Sequence, residues 1–123
     1  TEESMKWALD IHKQTCNEDS SIWLLKRNEE DLALFAGDST DETLRAALCG
    51  HIITPHLQKL SHHGINSRYF SEYVQKILKP QILVVSVDEK NYNEDMNTQI
   101  AALCAAGKSN AHYTFQGDLT IQI

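Results

Sequence analysis

The stretch Ile82-Leu-Val-Val-Ser-Val87 decides the fold: it is short, rich in β-branched residues and almost wholly apolar. Branched side chains pack well on a pleated surface, so the run reads as a strand. Being apolar on both faces, it belongs to a sheet covered on both sides. Immediately upstream, Lys79-Pro80 stops a helix, because proline disfavours helical backbone in the residue before it. That helix is capped at Asn66 or Ser67 and sets Phe70, Tyr73, Val74, Ile77 and Leu78 on one face. Downstream, Asn93 with Glu94 and Asp95 opens another helix, which carries Ile100, Leu103 and Cys104. Gly107 is expected just past its end.

Working outward, His56–Ser61 reads as a short strand that runs directly into His62-His63-Gly64. Before it, Ser21–Arg27 and Asp31–Gly37 read as a β-hairpin turned by Asn28-Glu29-Glu30. Ser39 with Glu42 has capping-box spacing, and Leu44, Ala47 and Leu48 stripe a short helix that ends near Gly50. Residues 1 to about 14 place Met5, Ala8, Leu9 and His12 at helical spacing. At the other end, 112–115 and 119–123 read as a terminal hairpin, with Leu119, Ile121 and Ile123 alternating with polar residues. The order helix, hairpin, helix, strand, helix, strand, helix, hairpin predicts a mixed α/β layer architecture. Helices cover one face of its sheet, and the apolar strands 32–36 and 82–87 require a further cover on the other.

A chain of 123 residues is the size of one domain. It holds 17 acidic and 11 basic residues, a formal charge of −6. That balance excludes a nucleic-acid coat protein or an anionic-membrane binder, which need dense positive charge. It leaves room for an enzyme that admits phosphate through a local metal site. No apolar run has the ~20 residues of a membrane span, so no membrane contact is expected of this chain. The three scattered cysteines, Cys16, Cys49 and Cys104, fit a reducing, cytoplasmic setting in which each acts as a small hydrophobe. Trp7 and Trp23 are expected as core or interface anchors.

Two features carry candidate chemistry. Asp38 follows Gly37 at the carboxyl end of one strand, and His62 and His63 follow the next. Sites in open α/β sheets collect beyond the carboxyl ends of strands, so these groups can meet across one crevice. A carboxylate with imidazoles is ligand chemistry for zinc, manganese or non-haem iron. Asp38 equally suits a helix N-cap, and adjacent loop histidines equally suit plain solvation. Of the other histidines, His51 suits a helix C-terminus, while His56 and His112 suit surface positions. A nucleophilic reading on Cys49 or Ser61 with a nearby histidine rests on residue type alone.

The segments Leu34-Phe-Ala-Gly-Asp38, Leu57-Gln-Lys-Leu-Ser-His-His-Gly64 and Pro80–Val87 with Asn91-Tyr92, taken in order, resemble the carboxyl-terminal half of the metallo-β-lactamase fold. The likeness is to the branch found in ComEC/Rec2-type hydrolase domains and spans about residues 20–123. It implies half of an αββα sandwich: residues 1–19 are a leading helix and linker, and 20–123 are the half-domain. The implied site holds one or two zinc or manganese ions on Asp38, as bridging ligand, and on one of His62 and His63, with His62 ahead. These three are the implied catalytic residues. The implied activity is a phosphodiesterase or nuclease on nucleic acid or a nucleotide, attacked by metal-bound hydroxide. Lys59, Asn66 and Ser67 are substrate-side candidates only because they flank the motif.

The sequence departs from that pattern in three places. Ile65 replaces a serine after the His-His-Gly run, Asn91–Asp95 lacks a histidine, and the H-x-H-x-D-H element is absent. A catalytic zinc needs about three protein ligands, and two matched groups are present. The first expectation is that an amino-terminal half, upstream or on another chain, supplies the remaining ligands and the second sheet cover. The second is a non-catalytic interaction or scaffold domain that kept the fold and lost the metal site. The third recruits His51, His56 or Asp88 as ligands.

Overall fold

The structure, a computed structural model, describes residues 21–64 and 77–122. The leading helix with Trp7, Cys16, most of the helix after residue 65, and Asn66 and Ser67 fall outside the described residues. In chain order the elements are β1 (Trp23–Arg27), β2 (Glu30–Phe35), α1 (Asp41–Ala47), β3 (Leu57–Lys59), β4 (Ile82–Val85), α2 (Glu94–Gly107) and β5 (Asn110–Tyr113). They form a mixed α/β fold around one five-stranded sheet of order β1-β2-β3-β4-β5. β1 pairs antiparallel to β2, and β2, β3, β4 and β5 run parallel to one another.

That sequential order governs the layers. Parallel crossovers are right-handed, and with no reversal of strand order they place successive helices on one face. α1 and α2 lie there together: Leu44, Met96, Ile100 and Leu103 join Leu34, Leu83 and Val85 in a single core. The register aligns Leu34, Gln58 and Leu83 across β2, β3 and β4 on this covered face. One residue along, Phe35, Lys59 and Val84 align on the opposite face.

The opposite face is apolar and open. Trp23 is 70% exposed, Leu25 52% and Phe35 42%, and Trp23 and Leu25 pair with Phe35 and Ala33. A groove of about 420 Å³ runs across it between Phe35, Leu57 and Val84, with Leu119 and Ile121 at one side. The apolar character of strands 32–36 and 82–87 is therefore only partly explained by cover from the described residues. Trp23 is no core residue.

Several local expectations are corrected. Among the described residues, 112–122 do not form the expected hairpin: β5 pairs parallel with β4, a 3-10 turn follows at Thr114–Gln116, and residues 117–122 are irregular. His112 turns its Nε2 to the Gly117 carbonyl at 3.0 Å, so the chain bends back where a second strand was expected. α1 is capped by Thr40, whose hydroxyl accepts from the Thr43 amide, and not by Ser39, which donates to the Ala36 carbonyl. α1 ends at Ala47, short of Gly50. α2 keeps Asn93 as its cap, but Lys108, not Gly107, takes the left-handed conformation that ends it.

Asp31 ties the start of β2 to the loop before β3. Its carboxylate accepts from the Thr54 amide at 2.9 Å and pairs with Lys26 at 3.2 Å. The Thr54 hydrogen bond, helped by Lys26 and opposed by burial, holds its pKa below the ordinary value. A carboxyl lowered on folding stabilises above its unfolded pKa of about 3.9, and that contribution is lost as pH falls through the folded value. Asp31→Asn should therefore be less stable than wild type at neutral pH, with the gap closing below about pH 4. Urea midpoints across that range test it, and a gap independent of pH would remove the account.

Candidate active site

The parallel strands β3, β4 and β5 end at the same edge, and their outgoing loops enclose a cleft of about 750 Å³. This is where an open parallel sheet places ligands, and the volume lies in the roughly 300–1,000 Å³ range of small-molecule sites. β3 contributes His63, β4 contributes Ser86, Val87 and Asp88, and β5 contributes Thr114 and Phe115. Asn93 and Met96, from the start of α2, close it.

The His-His-Gly run is shaped by backbone strain. His62 and His63 both have positive φ, 44° and 59°, in the left-handed region that non-glycine residues seldom occupy. Two bonds hold the turn: the His62 amide donates to the Gly37 carbonyl at 3.1 Å, and the Leu60 amide donates to Val84 at 2.8 Å. Gly37 itself has φ 58°, so the chain turns sharply just before Asp38. The loop carrying Asp38 and the loop carrying the two histidines are thus directly bonded. Residues held this way gather at functional sites.

The two histidines differ in environment. His63 is exposed and lines the cleft, while His62 is half-buried with its ring 6.1 Å from that of His63. Nδ1 of His63 lies 2.6 Å from the Ser86 carbonyl oxygen, which can only accept, so Nδ1 carries the hydrogen. In the neutral ring Nε2 is then the lone-pair nitrogen. A backbone carbonyl fixing the tautomer in this way is the usual outer-shell partner of a metal-ligating histidine. That tautomer suits His63 for ligation through Nε2, and a carboxylate with imidazoles is ligand chemistry for a divalent transition metal. Among the described residues, no group of three or more His, Cys, Asp and Glu side chains is placed to hold an ion.

Other sequence candidates separate. Asp38 does not cap α1, since Thr40 does. Asp38 and His62 do not border the cleft, and Lys59 lies on the open sheet face beside Phe35. Ser61 is 1% exposed and its hydroxyl makes no hydrogen bond, so no histidine activates it as a nucleophile. Burial pushes the Cys104 thiol up, away from a reactive thiolate, and Cys49 is exposed beyond α1.

Sequence reasoning passed over the aromatic wall behind the cleft. Tyr92 packs on Tyr113 and on Phe115, each with centroids 5.0 Å apart. Burial, with Tyr92 and Cys104 nearby, pushes the Tyr113 hydroxyl up to about 12, and it donates to Asn97 at 3.1 Å. These rings sit in the Asn91–Asn93 turn, at the last residue of β5 and just after it, where no spacing rule links them. No family model matches the chain, and neither a curated protein nor a solved structure is significantly similar to it.

Proposed function

We propose that the chain is the carboxyl-terminal part of a metal-dependent hydrolase of the metallo-β-lactamase type, acting on a phosphodiester such as nucleic acid or a nucleotide. Asp38, with His63 and His62, would hold part of a site for one or two zinc or manganese ions. The amino-terminal half of the sandwich, from an upstream segment or a partner chain, would supply the remaining ligands. The observation that carries this reading is the His63 ring, fixed through Nδ1 on Ser86 at 2.6 Å with Nε2 left to ligate. The open apolar face bearing Trp23, Leu25 and Phe35 supports the partner half, since a second sheet would cover it.

A divalent ion bound there supplies Lewis acidity and lowers the pKa of water. The chain's own residues orient that site. The Ser86 carbonyl locks the His63 tautomer, and the Gly37–His62 bond fixes the Asp38 loop against the histidine loop. The cleft then receives the substrate against Val87, Met96 and Phe115.

A scaffold reading is favoured by the same exposed aromatic and aliphatic face, which suits a docking partner whether or not a metal is held. Elemental analysis of the full-length parent protein separates the two. The hydrolase reading expects stoichiometric zinc or manganese in wild type, and loss of most of it in Asp38→Asn and His63→Gln. A metal-free wild type overturns it and leaves the scaffold.

A further inference from the structure

We propose that the cleft beside His63 seats an uncharged nucleobase, the part of a nucleotide substrate that carries no phosphate. The phosphate's place rests on the hydrolase reading above; the base's place rests on the lining of the cleft itself. Phe115 supplies the stacking surface: its ring is half-buried and borders the cleft. Tyr92, outside the lining, backs that ring with centroids 5.0 Å apart, and Tyr113 packs on Tyr92 at the same spacing. Thr114 pins the loop, since its hydroxyl accepts from the Val87 amide at 3.0 Å and donates to the Val87 carbonyl at 3.2 Å. The ring is thus in place before a ligand arrives, which lowers the ordering cost of stacking. Val87 and Met96, both buried, extend the apolar wall.

Around that wall the polar groups are of mixed sense. Asn91 gives one Nδ2 hydrogen to Asp88 Oδ1 at 2.6 Å, which fixes its carboxamide and leaves the second hydrogen and the carbonyl oxygen for a ligand. Asn93 accepts from the Met96 amide through Oδ1 at 2.8 Å, so its Nδ2 group presents donors. The Ser86 hydroxyl serves in either sense, and Asp88 adds an acceptor in Oδ2. Donors and acceptors side by side match the edge of a nucleobase, where ring nitrogens, carbonyls and amino groups alternate. An apolar wall alone would take any hydrocarbon; the mixed rim is what asks for a heterocycle. No lysine or arginine is among the described residues that border the cleft, so the charged part of the substrate belongs at the His63 end, where the proposed ion would meet it.

The test is a titration of the whole chain in EDTA with adenosine, ribose 5-phosphate and cyclohexanol, followed by amide chemical shifts of Val87, Asn91 and Phe115. Adenosine should shift these amides saturably, cyclohexanol should bind more weakly, and ribose 5-phosphate should leave them unmoved. Phe115→Leu keeps an apolar wall but removes the stack, and should weaken adenosine about five- to tenfold while leaving cyclohexanol unchanged. Asn93→Asp keeps the oxygen that caps α2 and removes the Nδ2 donors, and should weaken adenosine about three- to tenfold. No saturable shift with adenosine, cyclohexanol or ribose 5-phosphate binding as tightly as adenosine, or a folded variant with unchanged adenosine affinity, overturns the proposal. EDTA separates this result from the hydrolase reading: adenosine bound by a protein that holds no metal leaves the base cleft standing, and a metal-binding protein blind to adenosine sinks the cleft alone.

Discussion

The Gln58→Leu variant should be more stable than wild type by about 1–3 kcal/mol, the cost of burying an amide without a hydrogen bond. Gln58 is fully buried, and neither atom of its carboxamide has a hydrogen-bond partner. It lies in register between Leu34 and Leu83, on the face packed against the helices. Leucine has a similar volume and removes both orphaned atoms, so the core stays filled while the desolvation cost disappears. At roughly 3–6 °C per kcal/mol for a domain of this size, the melting temperature should rise by about 5 °C or more. An unchanged or lower melting temperature would mean that the amide is satisfied in solution, by an ordered water for example.

The opposite effect should come from Leu83→Ala. Leu83 is 1% exposed at the centre of β4, paired on both sides and packed in the main core. Truncation removes transfer energy and leaves a cavity, for a loss of about 2–5 kcal/mol. Total stabilities are only about 5–15 kcal/mol, so a large part of the folded state's margin disappears. Phe35→Ala, on the open face at 42% exposure, should cost the isolated chain under about 1 kcal/mol. Denaturant midpoints of the two variants measure the contrast. If the proposed amino-terminal half covers that face, the Phe35 cost should grow when that half is present. Equal costs in both settings would mean that nothing docks there.

The strands and α2 were legible because their signals are local. Val84 and Val85 are β-branched, Asn93 is a cap followed by two acids, and Ile100 and Leu103 repeat on one helical face. That the predicted terminal hairpin does not form was not legible. Alternation at Leu119 and Ile121 is the same whether the segment pairs in a ladder or lies across a groove, and only tertiary context chooses. The end of α2 moved one residue because lysine at 108 accepts the left-handed conformation that glycine at 107 invited. Of the candidate site, the placement of Asp38 and the histidines at neighbouring strand ends followed from their position after apolar runs. Which imidazole borders the cleft depended on two consecutive positive φ angles at His62 and His63. Residue type does not announce that conformation, since both are non-glycine.

The unbroken strand order has a consequence for how the chain assembles. Each strand pairs with the one made just before it, so an emerging polypeptide can lay down β1 and β2 and then add β3, β4 and β5 in turn at a single growing edge. No strand waits for a distant segment to be inserted beside it. Such a sheet can be lengthened or shortened at its last strand without rethreading, which makes the β5 edge the natural place for this architecture to gain or lose material.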